Sequence, residues 1–136
     1  MKRTISYSFP GSSLLIILLV IPASDTHAIT ASYIHIDNGT TESISGTITG
    51  NRPGKSAITV QGDGSVVNIQ PRTQISTHDN NANAMLAQHK GTLNFDGATI
   101  TTHGDQSQGV NVALEGRVSL NGGQVTTHGT ASPGLY

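Results

Sequence analysis

From residue 44 onward, apolar residues arrive in short alternating bursts and not in helical stripes. In Thr92-Leu93-Asn94-Phe95 polar and apolar positions alternate, so an extended chain sets Leu93 and Phe95 on one face. Asp96-Gly97 is a turn dipeptide. Ala98-Thr99-Ile100-Thr101-Thr102 predicts a second strand with Ile100 facing inward, and residues 104–109 predict a polar loop. Val110-Asn111-Val112-Ala113-Leu114 predicts a third strand with Val110, Val112 and Leu114 on one face, and Glu115-Gly116 turns the chain again. After the first 28 residues no helical period is visible.

The same grammar returns at a fixed step. Thr77-His78, Thr102-His103 and Thr127-His128 lie 25 residues apart. Gly91 matches Gly116, Leu93 matches Val118, and Gly97 matches Gly122. Three apolar series follow: Ile69, Phe95 and Leu120; Ile75, Ile100 and Val125; Met85, Val110 and Leu135. An earlier, looser copy starts at Gly46-Thr47-Ile48-Thr49-Gly50, and its Ala57-Ile58-Thr59-Val60 parallels Gly109-Val110-Asn111-Val112. In that copy the turn 51–55 reads as two residues longer, and residues 64–72 read as carrying a small insertion. Such variation belongs in turns, which lie outside a stacked core.

Three short strands and three turns per 25 residues predict one coil of a right-handed parallel β-helix, with about four coils in all. Each strand would lie roughly 4.8 Å from its counterpart one coil earlier, so that equivalent side chains stack as ladders. A sandwich or barrel of hairpins also suits short strands, but does not demand a common 25-residue phase. On this reading residues 29–43 form an N-terminal cap and residues 44–136 the repeats.

The first 28 residues follow a different pattern. Met1-Lys2-Arg3 is a small basic start, residues 14–21 are continuously apolar, and Thr26-His27-Ala28 is a small-residue end. This order predicts a secretory signal peptide cleaved after Ala28, with Ala23 as the alternative site. The apolar run is too short for a membrane-spanning helix, which needs about 20 residues. Export across the inner membrane is therefore expected, to the periplasm, the cell surface or outer membrane, or the medium. Residues 29–136 hold five Lys or Arg against seven Asp or Glu, a net charge of −2, so no basic surface points to a nucleic-acid partner. The chain has no Cys and no Trp, so neither disulfides nor a large aromatic core can hold it together.

The strings Leu120-Asn121-Gly122-Gly123-Gln124-Val125-Thr126-Thr127-His128-Gly129 and Phe95-Asp96-Gly97-Ala98-Thr99-Ile100-Thr101-Thr102-His103-Gly104 resemble coils of pertactin-like autotransporter passenger domains. There, as here, a strand ends in a Gly turn, a Thr-rich strand follows, and a polar loop leads to a Gly-apolar strand, in this chain Gly109-Val110 and Gly134-Leu135. The resemblance covers about residues 44 to 136. It implies an exported passenger, presented at the cell surface by a C-terminal β-barrel, with adhesion to a host-surface protein or glycan as its role. Nothing in the chain supplies barrel strands, which run about 10 residues each, and the sequence stops at Tyr136 in mid-coil. The expectation is an N-terminal piece of a longer passenger, whose outer-membrane translocator lies outside this chain.

Few residues suggest chemistry. His78, His103 and His128 should stack in one column at a turn, where imidazoles could share a metal. No carboxylate or Cys recurs in their ladder to complete a ligand set, so no metal and no cofactor is expected. Asp79 and Asp105 read as near-equivalents in successive coils, and paired carboxylates are what a polysaccharide lyase or hydrolase would need. The third copy has Thr130 there, and acids are ordinary turn residues. Gln61-Gly62-Asp63-Gly64-Ser65 reads as a turn, because a calcium β-roll would repeat its nonapeptide and a nucleophile elbow would lead into a helix. The resulting expectation is a non-catalytic surface-interaction module, not an enzyme. The alternatives are a carbohydrate-active β-helix enzyme and a fragment without independent function.

Overall fold

The computed structural model describes residues 2–5, 19–22, 29–31 and 33–136, with side chains from Tyr33 onward. The predicted cleavage site after Ala28, its alternative at Ala23 and most of the apolar run 14–21 lie outside the described residues. Strands β1 (Lys2–Ile5) and β2 (Leu19–Pro22) form a separate two-stranded antiparallel sheet. Every other pairing between strands is parallel and joins equivalent strands of successive coils.

The first coil consists of β3 (Ile29–Ala31), β4 (Ile34–Ile36) and β5 (Thr41–Ile44). The second holds β6 (Gly46–Gly50), β7 (Ile58–Gln61) and β8 (Val66–Ile69). The third holds β9 (Gln74–Thr77), β10 (Met85–Gln88) and β11 (Thr92–Asp96), and the fourth β12 (Thr99–Thr102), β13 (Val110–Val112) and β14 (Arg117–Asn121). Strand β15 (Gln124–Thr127) opens a fifth, which reaches as far as a parallel bridge between Leu135 and Val110. Sheet 1 has the order β15-β12-β9-β6-β3, sheet 2 β13-β10-β7-β4, and sheet 3 β14-β11-β8-β5. The chain is thus a parallel β-solenoid, and the described residues contain no helix. Parallel strands need a crossover, and here the other two sides of the coil provide it.

The registers reproduce the expected ladders. Ile75 pairs with Ile100 and Ile100 with Val125. Ile69 pairs with Phe95 and Phe95 with Leu120. Ile58, Met85 and Val110 follow one another in sheet 2. In the middle of the stack these columns are sealed from water, with Ile100 and Met85 at 0 % exposure and Phe95 at 2 %. At the last rung the same columns open: Leu120 is 44 % exposed and Leu135 59 %. No rung buries itself; it is covered by the rung on either side.

Three details depart from the pattern read in the sequence. First, the turn 51–57 is no longer than its counterparts. Ile48 pairs with Ile75 and Ile58 with Met85, so both connections span the same number of residues. Both ends of the turn are fixed by the next coil, through Gly54 N–H to Asn80 O (3.2 Å) and Ala57 N–H to Asn83 O (2.9 Å). The extra residues of this coil fall where the sequence indicated a small insertion, about residues 64–72: between β7 and β8, in the Gly62-Asp63-Gly64 turn, and between β8 and β9, at Gln70-Pro71-Arg72. Second, Leu114 does not share the inward face of Val110. Strand β13 ends at Val112, and Leu114 (φ 48°) and Glu115 (φ 65°) repeat the left-handed pair His89 (φ 48°) and Lys90 (φ 68°) at the corner between sheets 2 and 3. Leu114 is therefore a solvent-facing turn residue. Third, the stack reaches into residues 29–43, where a cap was expected. Strands β3, β4 and β5 pair in parallel with β6, β7 and β8, and Ile34 and Ile36 belong to the continuous core.

Because Phe95 is covered by rungs on both sides, Phe95→Ala should cost about 3–5 kcal/mol of stability. Leu120→Ala, in the same column at the open end, should cost far less. Urea unfolding followed by circular dichroism measures both, and equal losses would contradict the stacked core.

Candidate functional site: the outer face of sheet 1

Alternation along the strands of sheet 1 sorts their residues into two sets. Ile48, Ile75 and Ile100 point into the core. Their neighbours point outward and fall into columns fixed by the register. One column holds Thr47, Gln74, Thr99 and Gln124, and the next Thr49, Ser76, Thr101 and Thr126. Parallel pairing continues one residue past the strands, through His103 N–H to Thr77 O and His128 N–H to Thr102 O, both 2.9 Å. Residue 78 is again an outward position, so His78, His103 and His128 form a third column beside the other two. No Lys, Arg, Asp or Glu stands in any of the three.

The imidazoles are stacked. The rings of His78 and His103 have centroids 4.6 Å apart and are tilted by 11°; those of His103 and His128 are 5.0 Å apart and tilted by 16°. Nearly parallel rings direct their in-plane lone pairs side by side and not at a common point. Two nitrogens on one zinc ion can be no more than about 4.2 Å apart, twice the metal–nitrogen bond. Among the described residues no group of three or more His, Cys, Asp or Glu is placed to hold a metal ion. The Nδ1 of His103 lies 3.3 Å from Thr77 O. A carbonyl only accepts, so Nδ1 is the donor in that contact.

The loop beneath the histidines explains why Thr-His-Gly recurs. A Cβ on Gly104 would stand 2.0 Å from Asp79 O, and one on Gly129 2.0 Å from Gly104 O. Only glycine lets successive loops approach this closely. The loops are then tied by side chains that stand in for the missing sheet bonds. Ser107 Oγ accepts the Ala82 N–H (3.0 Å) and donates to Asp79 O (2.9 Å). One coil on, Ser132 Oγ accepts the Ser107 N–H (3.0 Å) and donates to Gly104 O (3.1 Å). Asn80 Oδ1 accepts the Asp105 N–H (2.9 Å), and Asp105 Oδ1 accepts the Thr130 N–H (2.8 Å).

This ladder sets Asp79 and Asp105, near-equivalents in the sequence, one residue out of phase. Asp105 stacks on Asn80 and Thr130, whereas the counterpart of Asp79 is Gly104. The two carboxylates occupy different columns, and that of Asp105 is engaged with backbone. Ser65, in the Gly-Asp-Gly turn, is fully buried and accepts the Gly39 N–H through Oγ (3.0 Å). An open depression at that corner is lined by Asp37, Asn38, Gln61, Gly62, Asp63 and His89. On sheet 2, Tyr33 Oη is 3.0 Å from His35 Nδ1, and His35 Nε2 is 3.5 Å from Asp37 Oδ2. Burial holds His35 below its ordinary range against the opposing pull of Asp37, and burial raises Tyr33.

Comparison with protein-family models, with curated proteins and with solved structures gave no match.

The serine ladder can be tested separately from the outer face. Ser107→Ala would leave the buried Ala82 N–H without its acceptor, at a cost of about 1–3 kcal/mol. Thr101→Val, on the outer face, should change stability by less than about 0.5 kcal/mol. Thermal unfolding of the two variants reads the difference, and an unaffected Ser107→Ala protein would contradict the bridging role.

Proposed function

We propose that the chain is a non-catalytic interaction module exported from the cytoplasm, of the autotransporter-passenger kind. The observation that carries this reading is the three-column outer face of sheet 1, an ordered array of hydroxyl, amide and imidazole groups with no Lys, Arg, Asp or Glu among them. A solenoid offers such an array as an extended surface for recognition. Its position is set by the core and the loop ladders, so it is organised before any partner arrives, which lowers the ordering cost of binding. The signal-like start of the sequence supports export, and the coil motifs at Phe95–Gly104 and Leu120–Gly129 support the passenger assignment.

Purified, fluorescently labelled chain should bind saturably to intact epithelial cells. Thr101→Glu, which puts a charge at the centre of the face, should weaken that binding about tenfold or more, the equivalent of 1.4 kcal/mol. Ser119→Glu, on sheet 3, should leave it unchanged. Non-saturable binding, or equal binding by wild type and Thr101→Glu, would overturn the reading.

A further inference from the structure

We infer that the three-column face binds a neutral, linear, β-linked polysaccharide laid along the solenoid axis, with about one sugar facing each coil. This inference rests on the interaction reading above and names the class of ligand. Four features of the face favour it.

The first is pitch. Columns repeat at the spacing of parallel strands, roughly 4.7–4.9 Å, and the stacked imidazoles show the same step at 4.6 and 5.0 Å. The sugar repeat of an extended β-1,4-linked glycan is close to this distance; its successive sugars are turned over, so one pattern of hydrogen bonds recurs on alternate rungs, the period at which Gln74 and Gln124 recur in their column. The second is charge. Without a Lys or Arg in any column, the face lacks the charged donors on which recognition of a phosphate, sulfate or uronate polymer usually rests. The third is the mixture of donors and acceptors. Thr and Ser hydroxyls do both, Gln74 and Gln124 present an amide N–H and C=O side by side, and the stacked imidazoles add their ring nitrogens. Sugar hydroxyls also donate and accept, and neighbouring pairs of them match a primary amide. The fourth is relief. Long Gln side chains alternate with short Thr in one column (Thr47, Gln74, Thr99, Gln124). This breaks the flatness that a crystalline lattice such as ice would require, while a flexible polymer can follow it. A protein partner fits less well, because protein interfaces anchor on Tyr, Trp, Phe, Met and Arg, and none of these stands in the columns.

Native affinity electrophoresis of the full chain is the test, with galactomannan or hydroxyethylcellulose in the gel and dextran and alginate as controls. The β-1,4-linked neutral polymers should retard the chain, whereas α-linked dextran and anionic alginate should not. Thr101→Glu and Gln124→Ala should lose most of the retardation, and Ser119→Glu should retain it, with melting temperatures recorded for all three. Soluble β-1,4 oligosaccharides should compete better as they lengthen, levelling off near the four rungs of the Gln-Thr column. Retardation kept by a folded Thr101→Glu protein would overturn the inference, as would equal retardation by dextran. If no neutral polymer retards a chain that still binds cells, the glycan reading fails and the interaction module stands. If the cell binding is then abolished by protease treatment of the cells, the partner is a protein. Shaping of ice crystals without any retardation would assign the face to a lattice instead. If the chain binds neither polymers nor cells, both readings fall.

Discussion

In-register parallel pairing between residues about 25 positions apart is the constraint on which the rest of this structure depends. One coil has three short strands, very few aromatic residues and no Cys, and cannot exclude water from its own interior. Stacking gives every backbone strand a partner and every inward side chain a neighbour above and below. The contrast between Phe95, sealed within the column, and Leu120, half open at its end, shows how directly burial follows from that stacking. The same constraint fixes lengths. Where register holds on both sides of a connection, as from Ile48 to Ile58, no residue can be added, and insertions move to corners with slack.

Loops that leave the sheets have to replace the bonds they lose. Buried polar backbone groups without partners are costly, and here serine hydroxyls supply the partners, one coil to the next, while Asn80 and Asp105 side-chain oxygens tie the loops at the surface. Glycines at 104 and 129 let the loops come close enough for this. Residues that could pass for catalytic groups, Asp105 and Ser107 among them, are rungs of that ladder. The outward face is the other product of the register: because inward positions repeat, outward positions repeat too, and a column of like side chains forms without further cost.

Much of this was legible in the residues. Ile75, Ile100 and Val125 keep their chemical class at a constant step, and Thr-His marks the phase, so the core columns and the histidine stack could be read directly. Three things were not. The turn at 51–55 was read as longer because its chemistry looks loose, whereas its length is set by bonds to Asn80 and Asn83 in the next coil. Leu114 looked like a core residue because a leucine two places beyond Val112 completes an alternation, but the backbone has already turned. Asp79 and Asp105 looked paired because each follows a histidine, yet they are one residue out of phase. The Gln and Thr columns beside the histidines were visible as Thr99-x-Thr101 and Gln124-x-Thr126, and became a surface only once the strands were set side by side.

Register is therefore the property to measure, and the absence of native Cys makes cross-linking a clean probe of it. Residues directly paired in neighbouring parallel strands fall within the Cα separation that a disulfide tolerates, about 4.4–6.8 Å. A Thr101→Cys/Thr126→Cys double variant should form an intramolecular disulfide readily under mild oxidation, since these residues are paired in β12 and β15. Thr101→Cys/Gln124→Cys, displaced by two residues along the strand, should not. Efficient cross-linking of the displaced pair with none of the paired one would contradict the solenoid register and, with it, the ordered outer face.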